Sequence, residues 1–387
     1  MTKKARIILL TAVLAAVCLF TSSAWAEKVI TMTFTGDVTL GSEEAKRSAP
    51  ESFDSFAKSK GYDYFFANFR DLFSADDCTV INLEGVLSDS PNGENTGKTY
   101  RFRGPTDFVK ILTGASVEVA GIANNHILDY QNIGMNRTTA TLEEAGIRWC
   151  RGVNYTIFEK DGIRIAVFGM DYSLANTAGD RVRKIMKELK DTGEANAIVV
   201  LFHNGNEYDA RHTELQRTKG VQYTKDGADL VIMHHPHVVQ GFNIENNRSV
   251  FYSLGNFVFG GNKEIRVEDY RGNRQTTSQY TLVVQARFYF RDDGTYAGQQ
   301  MILYPGYTTG AAPKNNYQPR RVTVEEAEPI LDAIRYDSLS EVPDLGEDEE
   351  GYARIVMPFL AAGSGAQGGS GDGAPEDPAG YPDRGQR

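Results

Sequence analysis

The sequence predicts an α/β fold with a mostly parallel first two-thirds and an antiparallel second sheet. Three observations lead there. Short apolar segments rich in β-branched or aromatic residues recur at 28–35, 79–83, 117–123, 163–168, 197–202 and 229–233. Helical patterns lie between them, and such alternation builds βαβ units with parallel strands. After Met233 the segments 238–244, 250–254, 280–290 and 299–304 are joined by Gly, Asn and Asp turns with no helix between them.

Each helix has a local reason. Val182, Ile185, Met186 and Leu189 fall at i, i+3, i+4 and i+7, which makes one apolar stripe. Helices over 106–112 and 132–145 are predicted to stop at left-handed glycines, Gly114 and Gly146. Thr323 and Glu326 have capping-box spacing ahead of Ile330, Leu331 and Ile334, so one helix follows the late strands. From Ala361 to Arg387 there are eight glycines, three prolines and one large apolar side chain, Tyr381. That stretch cannot bury enough surface to offset its ordering entropy, which predicts disorder. The expected organisation is a leader at 1–26, one domain at 27–345, and a tail at 346–387, acidic and then Gly/Pro-rich. There is no internal repeat.

Lys3, Lys4 and Arg6 precede an apolar run over 7–20, and Ala24-Trp25-Ala26 closes it. That order is a secretory signal peptide, with cleavage expected after Ala26. The rival is an uncleaved anchor, although the run is shorter than the ~20 residues a spanning helix needs. The mature protein is therefore expected in the periplasm or at the cell surface. Losing those three cations takes the formal charge from −10 to −13. Such a surface repels nucleic acid and anionic lipid heads, and no basic groove is present. Cys78 and Cys150 could pair outside the cytoplasm or stay as small core residues, and both readings stand.

The chemistry-bearing residues follow the predicted strands. Asp37 ends the first and Glu84 the second. Asn124-Asn125-His126, with Asp129, ends the third. His203 through Glu207 ends the fifth, and His234-His235-Pro236-His237 the sixth. Side chains at the carboxyl ends of strands line the crevice of an open α/β sheet. Any one of these reads as a turn, a cap or a surface histidine. Five strand ends carrying imidazole, amide and carboxylate together read as a metal centre. Those ligands suit zinc, manganese or iron, in one or two ions, and without thiolates the site is not structural zinc. Two ions sharing a carboxylate could activate water and stabilise charge on an attacked phosphoryl or carbonyl oxygen. His126 is the expected proton donor, with Asp129 orienting it if the loop turns back.

Gly36-Asp37, Asn82-Leu83-Glu84-Gly85, Ala123-Asn124-Asn125-His126 with Asp129, His235-Pro236-His237-Val238-Val239-Gln240 and Tyr252-Ser253-Leu254-Gly255-Asn256-Phe257 occur in order. Over about 31–259 they closely resemble the bacterial capsule-synthesis family of poly-γ-glutamate proteins, the CapA or PgsA type. That family in turn looks like the calcineurin-type metallophosphoesterases, which implies a two-sheet sandwich flanked by helices. The resemblance implies that Asp37 and His237 hold one metal, Glu84 bridges, and Asn125, His203 and His235 hold the second. It also implies that Glu207 and Asn256 line the pocket. Three positions depart: Thr39 replaces a ligand histidine, Asn204 an aromatic residue, and Met233 a glycine.

The resemblance implies an exported protein of capsule assembly. Its partners would be an anionic polymer such as poly-γ-glutamate and membrane-embedded synthase subunits. A metal-dependent hydrolase is the leading expectation. A non-catalytic polymer- or ligand-binding subunit with a remnant metal centre is the alternative. A polyanion would need the metals, or Arg101 and Arg103, to offset the acidic surface.

Overall fold

Alternate side chains of the strand Ala197–His203 enter two different cores. Ala197, Val199 and Leu201 join one buried cluster, whereas Ile198, Val200 and Phe202 join another. The strand Leu230–His234 splits the same way, with Leu230 and Ile232 on one side and Val231 and Met233 on the other. A strand that is apolar on both faces must be covered on both.

The computed structural model describes residues 28–267 and 277–363. A six-stranded sheet runs in the order Phe242–Glu245, Arg248–Phe251, Leu230–His234, Ala197–His203, Ile163–Asp171, Thr156–Lys160. A larger sheet is centred on Tyr296–Tyr307, Tyr280–Phe290, Lys28–Thr39, Cys78–Leu83 and Val117–Gly121. Met32, Phe34 and Val80 of the larger sheet meet Ile165, Val199 and Ile232 of the smaller in one shared core. Phe53, Phe66, Phe73, Ile111 and Leu142 cover the larger sheet outside. Val182, Met186, Leu189 and Tyr223 cover the smaller. The result is four layers, with helices outside two facing sheets. No helix among the described residues is long and apolar enough to cross a membrane.

The predicted first-half strands are parallel as expected, with Thr156–Lys160 antiparallel at the edge of the smaller sheet, but the second half does not form its own antiparallel sheet. Tyr280–Phe290 and Tyr296–Tyr307 extend the larger sheet antiparallel from Lys28–Thr39. Arg248–Phe251 instead joins the smaller sheet, parallel to Leu230–His234. Both sheets are mixed, because each parallel centre recruits late strands to an open edge.

The helix Gln131–Glu144 stops as expected, with Gly146 at φ +76 and Ile147 N–H donating to Leu142 O. Gly114 does not use its freedom: its φ is −70 and its N–H donates to Lys110 O. The capping box at Thr323 forms as predicted and starts Val324–Asp337. Cys78 and Cys150 are free, buried thiols of the shared core.

The domain boundary at 345 is corrected. Ala353–Val356 and Leu360–Ala361 pair with Tyr296–Tyr307, and Ile355 is fully buried. The chain therefore belongs to the fold through 361. The predicted leader and the residues after 363 lie outside the described residues. Truncating Ile355 to Ala should cost about 2–5 kcal/mol in urea unfolding. A segment that only lay on the surface would change stability by less than about 0.5 kcal/mol.

Candidate metal centre

Register builds the first half of the site. Lys28–Thr39 pairs in parallel with Cys78–Leu83 and with Asn256–Phe259, so Asn82, Asp37 and Asn256 stand side by side. The close approach depends on two glycines. Asp37 N–H donates to Gly255 O at 2.9 Å, and a Cβ on Gly36 would lie 2.2 Å from that same oxygen. Gly255 itself sits at φ +71, where a side chain would strain the backbone. In the smaller sheet His234 is in register with His203. At these in-register positions the larger sheet supplies acid and amide, and the smaller supplies imidazole.

Asp37 is saturated. Asn82 Nδ2 donates to Oδ1 at 2.8 Å, and His234 Nδ1 lies 3.1 Å from the same oxygen. His237 Nδ1 and the His235 N–H each lie 3.3 Å from Oδ2. Burial alone would raise this carboxyl, but hydrogen bonds and charge from His234 and His237 outweigh it and hold it well below the usual range.

Glu84 is the opposite case. It is fully buried, and neither carboxylate oxygen has a hydrogen-bond partner. Its Oε1 is 3.5 Å from His203 Nε2, 3.8 Å from His126 Nε2 and 3.9 Å from His237 Nε2. Two atoms ligating one tetrahedral ion at ~2.1 Å stand about 3.4 Å apart, so this spacing suits ligands of a shared cation better than hydrogen-bond partners. Burial, then the Asp37 charge, pushes the carboxyl well above its usual range. A divalent ion would reverse both penalties. The residues present therefore fit a metal ion.

Two triads of ligand atoms share this carboxylate: Asp37, Glu84 and His237, and Glu84, His203 and His235. Asn125 Oδ1 lies 2.8 Å from His203 Nε2, beside the second. The predicted ligands Asp37, Glu84, Asn125, His203, His235 and His237 thus converge. His235 and His237 both hold positive φ, 104 and 59, on either side of Pro236. Such strain in non-glycine residues collects at functional sites. Burial, then His237, lowers His235 to about 4. Burial opposes protonation of His237 too, but Glu84, Asp37 and Glu207 outweigh it and raise the ring to about 9.

The loop after the third strand turns back. His126 Nδ1 is 2.7 Å from Asp129 Oδ2, and that oxygen also accepts from Phe102 N–H at 2.8 Å. Lys98 pairs with the other oxygen of Asp129. Burial holds His126 below the ordinary imidazole value, against the pull of Asp129.

Two predicted pocket residues are corrected. Arg103 is buried, its guanidinium committed to Glu44 and to Ser88 O, so it cannot meet a substrate. Arg101 is likewise paired with Glu94. Asn256 is fully buried beneath the site, its Oδ1 3.0 Å from His237 Nδ1. It holds that ring with Nε2 toward Glu84, the support His237 would need if it bound an ion. Glu207 is exposed and approaches His235 and His237. Three contributors were missed. Asn82 holds Asp37, His234 pairs with it, and Asn124 ties His126 N–H to Asn82 Oδ1 and Leu83 O. The signal was in the sequence, since Asn82, Asn124 and His234 all lie in the strand-end motifs.

A family model described as bacterial capsule synthesis protein PGA_cap matches residues 31–261. The capsule biosynthesis protein CapA of Bacillus anthracis is 29% identical over 256 residues, 59% of this chain and 60% of that protein. The PGA biosynthesis protein CapA of Bacillus subtilis (strain 168) is 28% identical over 257 residues, 61% of this chain and 64% of that protein. The chain thus spans about three-fifths of the curated relatives it matches. A hypothetical protein from Thermus thermophilus aligns with TM-score 0.41 and 14% identity, covering 71% of this chain and 99% of that one.

Because His237 carries an extra proton below about 9, a metal taking Nε2 must expel it. Affinity for Mn²⁺ or Zn²⁺ should rise with pH up to about 9 and then level. Titration calorimetry in two buffers of different ionisation enthalpy should detect the released proton. Binding that ignores pH would remove His237 from the ligand set.

Proposed function

This chain belongs to the bacterial capsule synthesis protein family, and on that premise we propose that it serves cell-surface polymer assembly outside the cytoplasm through a divalent-metal hydrolytic centre. The observation that carries this is the Glu84 carboxylate, buried, unpartnered and ringed by three imidazoles. Poly-γ-glutamate or a related anionic polymer is the substrate class that the family suggests, with membrane-embedded synthase subunits as partners. The four-layer sandwich with ligands at strand ends supports kinship with metallophosphoesterases.

Asp37, Glu84 and His237 would hold one ion, and Glu84, His203 and His235 with Asn125 a second. A divalent cation held there supplies Lewis acidity toward a carbonyl or phosphoryl oxygen and lowers the pKa of water. His126 moves the proton. Its Nδ1–H is held by Asp129, and its Nε2 faces Glu84. Lowered by burial, the ring is neutral at pH 7, so Nε2 receives a proton from the attacking water before passing it to the leaving oxygen or nitrogen.

A non-catalytic polymer-binding subunit is the second reading, and Thr39 favours it. The Thr39 hydroxyl is buried and without a hydrogen-bond partner, two residues after Asp37, where the resemblance implies a histidine ligand. A panel of phosphodiester and γ-glutamyl substrates with Mn²⁺, Zn²⁺ or Fe²⁺ separates the two. Turnover is expected, and His126→Ala should lower kcat about 10²–10⁴-fold with metal content unchanged. Bound metal with no turnover, and chelation-sensitive retention of poly-γ-glutamate, would establish the binding role instead.

A further inference from the structure

Glu207 is exposed, yet one of its carboxylate oxygens lies within 4.8 Å of ring nitrogens of both His235 and His237, which are as close to each other. The loop is pinned there, because the N–H of the next residue, Tyr208, donates to Pro236 O at 2.8 Å. His235 adds a buried Nδ1 with no hydrogen-bond partner. A pocket-lining residue has no need of this arrangement. A third ligand triad, set at the mouth of the buried pair, explains it.

Exposure falls steadily along the path inward. Glu207 is open to solvent, His235 is partly covered, and His237, Glu84 and Asp37 are buried. A cation arriving from water meets the carboxylate of Glu207 first. The outer triad also competes with the inner ones, because His235 and His237 belong to both. Once deprotonated to bind a metal, an imidazole offers a single lone pair. An ion on the outer triad therefore uses donors that the inner positions need, and it must move inward for those to fill. We propose that Glu207, His235 and His237 form an outer cation position through which divalent metal is loaded into the buried pair. This rests on the metal-centre reading above.

The test is stopped-flow mixing of Co²⁺ with the full chain stripped of metal, followed by visible absorption and by metal content per chain. Wild type should show a fast phase that depends on Co²⁺ concentration and a slower phase that does not. Glu207→Gln should slow the first phase roughly tenfold or more, since a local carboxylate raises cation on-rates, and should reach the same final metal content. Glu84→Gln should keep the first phase and lose the second. If Glu207→Gln loads as fast as wild type, the loading role is overturned and the metal centre stands. If it binds fewer ions at equilibrium, Glu207 is a permanent ligand and the loading role is again overturned. If wild type binds no Co²⁺, the metal-centre reading itself falls.

Discussion

Burying a carboxylate without a partner costs several kcal/mol, and Asp37 and Glu84 are both fully buried on neighbouring strand ends. The protein treats them differently. Asp37 accepts from an amide and a backbone N–H and has two imidazoles close beside it, so its charge is satisfied from within. Glu84 receives nothing at hydrogen-bond distance. Its only compensation is a ring of imidazoles held slightly too far away. Folding thus leaves a buried acid whose penalty a bound cation would offset, and the neighbouring histidines gain a purpose from the same ion.

The sandwich is what makes this meeting possible. Parallel strands all end on one side, so neighbouring strand ends share an edge. The larger sheet brings Asn82, Asp37 and Asn256 to that edge, and the smaller brings His203 and His234. The two groups face each other only because Met32, Phe34 and Val80 pack against Ile165, Val199 and Ile232. The ligand spacing is therefore set by the apolar core between the sheets. A well-packed core of this kind resists small displacements, which a preorganised site requires.

Much of this was legible because buried parallel strands leave a plain trace, an apolar run that stops abruptly at a polar residue. Asp37, Glu84, His203 and His235 were found that way. His126 and Asp129 were legible because three residues suffice for a loop to turn back. What failed was non-local. Arg103 looked like a free cation near an acidic site, but Glu44 lies 59 residues away and claims it. Asn256 reads as a pocket residue until the register with Asp37 buries it. Tyr280–Phe290 and Tyr296–Tyr307 were located but given the wrong neighbours, since a strand's sequence encodes its faces more strongly than its partner. The strands near 242 and 250 were only partly located, and Asn256–Phe259 was not read as a strand. The strand Ala353–Val356 was hidden by the composition of the Gly-rich stretch that follows it.

The neutral state of His126 follows from the same economy of charge. Asp129 alone would draw a proton onto the ring, as carboxylates beside imidazoles do. Burial works against it, and Lys98, ion-paired with Asp129, adds a second opposing effect. The ring stays oriented by its Nδ1–H while Nε2 keeps its lone pair. A protonated His126 would put a cation beside Glu84 and compete with metal for that carboxylate. In the proposed reaction a neutral ring would add no cation beside Glu84 and would leave His126 Nε2 free to accept a proton. Orientation by Asp129 and restraint by Lys98 are thus two halves of one arrangement.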